Sequence, residues 1–149
     1  MAEFAKEGNL KPEIYDMREF IHRLEKEGDL VRIKKEVAGG DEIACIMWEL
    51  EERKGNNGPA VIFENIKGYD IPVVKNLYGS LRRWALILGI PDWRNIQIRQ
   101  LKEYLLQKVE AEKDWVAPEL TQKAPCQEVI IRDNPDFSKF PIFRWHPTD

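Results

Sequence analysis

Few side chains in this sequence have the type and spacing to do chemistry, and the first of them are acidic. Glu51 with Glu52, and Glu110 with Glu112, carry the groups that general acid–base catalysis uses. Such catalysis needs two carboxyl groups that converge in a cleft from which water is excluded. Both pairs fall on the solvent faces of predicted helices. We therefore interpret them as solvated surface charge.

The dipeptide Arg82-Arg83 could hold a phosphate or a carboxylate through bidentate hydrogen bonds. It falls on a short amphipathic helix, where arginines more often pair with nearby acids, and we favour that interpretation. Gly39-Gly40 lacks both the further glycine and the strand-to-helix context of a phosphate-binding loop. The sequence therefore predicts no nucleotide site.

The two histidines are His22 and His146. His22 is offset from the apolar stripe of its predicted helix, which indicates a surface residue. For His146 two interpretations remain open. It is either a structural histidine that bonds local backbone, which we favour, or a residue at the edge of a pocket. Neither histidine has a second one at the i, i+4 spacing, so we predict no metal site within this chain.

Aromatic side chains could form a stacking surface for a ring. Trp84, at helical spacing, is expected in the core. Residues 137–145 instead concentrate apolar side chains in an extended segment, where burial needs a partner surface. We predict that this segment docks on another domain or subunit. The docking residues are Phe137, Phe140, Phe143 and Trp145.

The first half of the chain alternates helix and strand. A helix is predicted to begin after Asp16, whose carboxylate can accept from first-turn amides, and to end at Gly28. Its apolar stripe is Met17, Phe20, Ile21 and Leu24. A strand is predicted over 30–37, with Val31, Ile33 and Val37 on one face. Asp41 is expected to cap a second helix. That helix buries Ile43, Ile46, Met47 and Leu50.

The second half begins with a turn over 55–58 and a buried strand over 60–63, from which a hairpin leads to a strand near 71–74. Ser80 is expected to cap a short helix that ends at Gly89. This helix carries Leu81, Trp84, Ala85 and Leu88. A longer helix reaches about Glu112. Its stripe is Ile98, Leu101, Leu105 and Val109. An extended connection follows over 114–125, and a short strand over 129–131.

Composition limits the class of protein. The 149 residues suit one domain, with 43% hydrophobic and 33% charged residues. The net charge of -3 comes from intermixed acids and bases, so nucleic acid is not an expected partner. No apolar run approaches the roughly 20 residues of a membrane span, and from the polar start of the sequence we expect no signal peptide. Cys45 and Cys126, without a CxxC motif, indicate a reducing cytoplasm.

Four blocks, in this order, resemble the start of the UbiD family of decarboxylases. They are DMREFI with LEKEGDLVRI over 16–33, PAVIFENIKGYDIPV over 59–73, NLYGS over 76–80, and FSKFPI with HPTD over 137–149. Each block alone is a weak signal, and their order carries the resemblance. It implies a small mixed sheet with several amphipathic helices, leading at its C-terminal end into a split-barrel flavin domain beyond this chain.

Residues 1–15 lack periodicity and contain Gly8 and Pro12, so they are predicted to form an irregular arm. We expect the N-terminal α/β domain over 16–113 and an extended connection towards the cofactor domain over 114–149. The resemblance further implies non-oxidative decarboxylation or carboxylation of an aromatic or α,β-unsaturated acid by prenylated FMN, held with a divalent metal and potassium. The family's motifs for that chemistry lie beyond Asp149. No catalytic, cofactor-binding or metal-binding residue is therefore predicted here, and no flavin is expected on this chain alone.

Three kinds of protein remain open. The chain is expected to be a structural, cleft-flanking part of a full decarboxylase, and its end at Asp149 favours this hypothesis. It could instead be a complete non-catalytic subunit that docks on a separate cofactor-bearing chain, or a binding module. A homo-oligomer or hetero-oligomer is expected in either of the first two cases.

Overall fold

A small sheet forms the centre of the computed structural model, which describes residues 16–111 and 120–142. Its strands are β1 (Leu30–Ile33), β2 (Ala60–Phe63) and β3 (Val73–Lys75). The α-helices are α1 (Met17–Lys26), α2 (Asp41–Lys54), α3 (Leu81–Ile87) and α4 (Ile98–Ala111). Short 3-10 helices occur at Gly55–Asn57, Trp93–Asn95, Pro125–Gln127 and Phe137–Lys139. The predicted class, a small mixed sheet with amphipathic helices, is confirmed.

The strands lie in the order β1-β2-β3. β1 is parallel to β2, with Leu30 opposite Ala60, and β2 is antiparallel to β3, with Phe63 opposite Val73. Parallel neighbours need a crossover connection, which α2 provides, whereas β2 and β3 form the predicted hairpin. Because β2 has a strand on both sides, all four of its residues are buried, as predicted.

Two apolar cores occupy the two faces of the sheet, because side chains alternate between faces along a strand. Ala60 of β2 belongs to the first core and Val61 to the second. The first core also holds Phe20, Leu24, Leu77, Ala85, Leu86, Ile90, Trp93 and Leu101. The second also holds Val37, Ile43, Met47, Phe63 and Ile66. Helices α1, α3 and α4 therefore cover one face, and α2 covers the other.

Two of the predicted helix caps are confirmed. The Asp16 carboxylate accepts from the amides of Arg18 at 2.6 Å and Glu19 at 3.4 Å. The Ser80 hydroxyl accepts from the amide of Arg83 at 3.3 Å. Each of these side chains satisfies amides that the first helical turn leaves unpaired.

The predicted cap of α2 is wrong by one residue. Gly40, with φ 78°, occupies the N-cap position, and Asp41 is the first helical residue. Because glycine adopts a positive φ without steric cost, the chain turns into the helix one residue earlier than the aspartate pattern indicates. The Glu42 carboxylate, not that of Asp41, accepts from the amide of Ala38 at 2.6 Å.

The predicted strands over 30–37 and 129–131 need correction. β1 ends at Ile33, and Val37 makes only an isolated parallel bridge to Ile66. Val31 is exposed because β1 is an edge strand. Residues 129–131 form no strand and are exposed, since no other described strand pairs with them and an isolated strand leaves its backbone bonds unmade.

Candidate functional site

The strongest polar cluster joins the end of α1 to the start of α3. Asp29 accepts from Arg82 Nη2 at 2.5 Å and from Arg83 Nη1 at 3.0 Å. The same arginines also donate to backbone carbonyls of the turn before β2. Arg82 bonds the oxygen of Asn57 at 2.8 Å, and Arg83 bonds that of Gly58 at 3.0 Å. The arginines therefore pair with an acid, as the favoured interpretation predicted.

Arg83 is fully buried, whereas the Arg82 side chain keeps about a quarter of its surface in contact with solvent. Burial lowers the pKa of Arg83, and the neighbouring Asp29 carboxylate opposes that shift. Nε and Nη2 of Arg83 have no hydrogen-bond partner among the described groups. Because Arg83 is sealed from solvent and Arg82 is engaged by two groups, this cluster holds the fold together and offers no open anion site.

The loop before α3 is held by Asn76, which has a positive φ of 57°. Its amide donates to the carbonyls of Gly58 at 3.2 Å and Pro59 at 3.0 Å. A Cβ placed on Gly79 would come within 1.7 Å of Asn76 Oδ1. The NLYGS block therefore needs asparagine for the turn and glycine for the space beside it.

A cleft of about 260 Å³ adjoins this loop. Its lining is Met47, Leu50, Glu51, Gly58, Lys75 and Asn76. Burial lowers the pKa of Lys75. Among the lining residues only Glu51 carries a carboxyl group, so the cleft lacks the pair of carboxyl groups that acid–base catalysis would use.

The predicted core position of Trp84 is wrong. Trp84 is 45% exposed, and its ring lies 5.7 Å from that of Tyr78, which stacks on Phe20. Leu81 is also exposed, while α3 buries Arg83, Ala85 and Leu86. The ion pair of Arg83 with Asp29 sets the rotation of α3, and Trp84 consequently lies at the rim of the core.

The apolar stripe of α4 is mostly exposed. Only Leu101 is buried, while Ile98, Leu105 and Val109 are exposed. The predicted helix itself is confirmed. This exposed stripe was missed as a candidate surface. The sequence does contain a signal for this surface. The apolar side chains of α4 occupy a wider arc of the helix than one packing contact covers.

The predicted docking segment is only partly within the described residues. Phe137 is 69% and Phe140 53% exposed, and Asp136 caps the short turn by accepting from the Ser138 amide at 2.9 Å. Phe143, Trp145 and the pocket-edge candidate His146 lie outside the described residues. Docking by this segment stays a prediction.

The remaining candidates are dispersed. Glu51, Glu52, Glu110 and His22 are exposed, and Glu112 lies outside the described residues. Across residues 16–111 and 120–142, no group of three histidine, cysteine or acidic side chains could hold a metal ion. Over the same residues, no helix combines the length and apolar character needed to cross a membrane.

Comparison with known proteins identifies relatives over nearly the whole chain. A family model described as the 3-octaprenyl-4-hydroxybenzoate carboxy-lyase N-terminal domain matches residues 21–99, more than half of the chain. Phenolic acid decarboxylase of Sedimentibacter hydroxybenzoicus is 37% identical over 141 residues, which are 90% of this chain and 28% of that protein.

Solved structures agree with the sequence match. The closed form of S. hydroxybenzoicus vanillic acid decarboxylase superposes with a TM-score of 0.77 at 34% identity, covering 90% of this chain and 28% of that one. The UbiD-class enzyme HmfF of Pelotomaculum thermopropionicum, in complex with FMN, gives 0.67 at 32% identity, covering 87% and 26%. This chain thus spans less than a third of the length of each relative.

Proposed function

Because the chain belongs to the family of 3-octaprenyl-4-hydroxybenzoate carboxy-lyase N-terminal domains, we propose that it is the N-terminal part of a UbiD-type decarboxylase. The whole enzyme adds or removes carbon dioxide non-oxidatively on an aromatic or α,β-unsaturated acid. The observation that carries this proposal is the superposition on vanillic acid decarboxylase, which covers 90% of this chain but only 28% of the enzyme.

This part of the enzyme is structural and flanks the cleft. The described residues do not fit the cofactor, because they contain no metal-ligand cluster and because Arg82 and Arg83 are already bonded to Asp29. We therefore assign prenylated FMN, the divalent metal and potassium to the rest of the enzyme. No step of the reaction is assigned to a residue of this chain.

The proposed division of the chain is an arm over 1–15, the domain over 16–113, and a connection over 114–149. Exposure of Phe137 and Phe140 supports docking of the connection against the cofactor-bearing part. Phe143 and Trp145, outside the described residues, are proposed to belong to the same surface. His146 is favoured as a structural histidine, with the pocket edge as the alternative.

The names of the relatives support a proposal for the substrate class. The names of two of them specify a phenolic acid and vanillic acid, so we propose a phenolic carboxylic acid within the wider aromatic class. Free cysteines at Cys45 and Cys126 support a cytoplasmic enzyme. An evolved form of HmfF is dimeric, which supports an oligomer.

The test is to express the complete reading frame that encodes this chain, together with a source of prenylated FMN. The expected product is a flavin-absorbing protein that releases carbon dioxide from vanillate or 4-hydroxybenzoate. A stop codon after Asp149, with a separate flavoprotein that copurifies, would instead establish the alternative of a non-catalytic subunit. A complete protein that neither binds flavin nor decarboxylates any phenolic acid would refute the proposal.

A further inference from the structure

Helix α4 has an apolar surface that is wider than the part that it buries. At 3.6 residues per turn, Leu101 and Tyr104 lie on the side that faces the first core. A second stripe lies directly beside them on the helix. It consists of Ile98, Leu105, Leu106 and Val109, which we call the α4 stripe.

The α4 stripe is open to solvent. Its side chains are exposed by 63% at Ile98, 42% at Leu105, 52% at Leu106 and 61% at Val109. The face next to Leu106 is polar, and the exposed Lys102 lies between Val109 and Leu106. There Arg99 pairs with Glu103 at 2.9 Å, and both side chains are more than half exposed. The helix therefore already has a solvent face, and a second exposed face made of leucine, isoleucine and valine indicates an interface.

We propose that the α4 stripe packs against the cofactor-bearing part of the UbiD-type enzyme. This inference rests on the function proposed above and adds a second contact to the one at 137–145. The relatives supply the occupant, because about seven tenths of each relative's length lies outside the match with this chain. The stripe thus has a large partner available within one enzyme.

A second copy of this chain fits the α4 stripe less well. Four side chains on three turns of helix cannot by themselves provide the roughly 1,200–2,000 Å² that a stable interface between separate proteins buries. A partner within the same enzyme needs much less area, since linkage supplies a high effective concentration. The stripe is therefore of a size suited to contact between domains.

Cysteine labelling can measure whether the α4 stripe is covered. The experiment uses the complete flavin-loaded enzyme with Cys45→Ser and Cys126→Ser, because both of these cysteines are exposed. Labelling is measured at the introduced cysteine by peptide mass spectrometry, so that cysteines elsewhere in the enzyme do not contribute. Single variants Leu105→Cys and Val109→Cys report on the stripe. Gln107→Cys, on the exposed opposite side of the same helix, is the matched control.

In the complete enzyme, maleimide should label the Leu105→Cys and Val109→Cys variants about tenfold or more slowly than the Gln107→Cys control. In the 149-residue chain alone, all three should react at similar rates. Equal rates in a flavin-loaded, active enzyme would overturn the inference and leave the proposed function standing. Protection already present in the isolated chain that disappears on dilution would overturn it in favour of a second copy.

Failure of the proposed function would be recognised separately. A complete Cys45→Ser, Cys126→Ser enzyme without flavin absorbance or decarboxylation would remove the basis of the inference before any labelling. Each substitution introduces a small side chain at an exposed position, so folding is checked by the thermal midpoint of the isolated chain, which should match the parent.

Discussion

Asp29 and Arg83 are 54 positions apart in the chain, and their side chains meet at 3.0 Å in the interior. The backbone oxygen of Asp29 also accepts from the Ala60 amide at 3.0 Å, at the first residue of β2. One aspartate thus connects the end of α1, the start of β2 and helix α3. Its carboxylate compensates a guanidinium that has no access to water.

Replacing Asp29 by alanine should lower the free energy of unfolding by about 3–5 kcal/mol, because it leaves Arg83 buried without a counter-charge. Urea unfolding at neutral pH measures the loss. The matched control is Arg82→Ala, which removes a partly exposed arginine from the same aspartate and should cost clearly less. If both variants lost the same free energy of unfolding, the burial of Arg83 without a counter-charge would not explain the loss in Asp29→Ala.

Replacing Gly79 by alanine should destabilise the domain by about 1–3 kcal/mol, the range typical of overpacking. The added methyl group would displace the Asn76 side chain and break its bonds to Gly58 and Pro59. In an Asn76→Ala background the same substitution should cost much less, because the clash is gone. Thermal unfolding of all four combinations measures this coupling, and simple additivity would contradict the predicted contact.

Leu24→Ala and Leu106→Ala make the same chemical change at a buried and an exposed position. The first should cost about 2–5 kcal/mol, because it opens a cavity between α1 and the sheet. The second should change the stability of the 149-residue chain by about 0.5 kcal/mol or less. Chemical denaturation compares them. A large loss at Leu106 would show that the α4 stripe supports this domain internally.

Acid should weaken the pair between Glu25 and Arg32. Arg32 donates to both carboxylate oxygens, at 2.6 and 3.0 Å, and this bidentate bond lowers the pKa of Glu25. Because the folded pKa is depressed, the pair's stabilisation is complete above the unfolded pKa of about 4.3 and is lost as the pH falls through the folded value. In Glu25→Gln the free energy of unfolding should therefore depend less on pH below that value.

Urea midpoints between neutral pH and the acid limit measure this effect. Glu52→Gln, at an exposed position of α2, is the control and should leave the acid slope unchanged. A Glu25→Gln variant with the parent's slope would contradict the assignment of the pKa shift to Arg32.

Features that depend on neighbours in the chain could be predicted from the sequence. The caps at Asp16 and Ser80 follow from a side-chain oxygen placed before an amphipathic run. The burial of Ala60–Phe63 follows from four apolar residues between turns. The family followed from ordered blocks, and the matched model covers three of them wholly or in part.

The tertiary structure decided what periodicity leaves open, namely which side of each helix faces the core. Arg83, and not Trp84, faces inward because its acid partner is supplied by Asp29, far away in the chain. Leu101 is buried while Leu105 and Val109 remain exposed, because this domain covers only one side of the apolar arc of α4. The sequence by itself determined the elements and the family, whose signals are local. Only the fold decided these orientations, because they depend on contacts between distant segments.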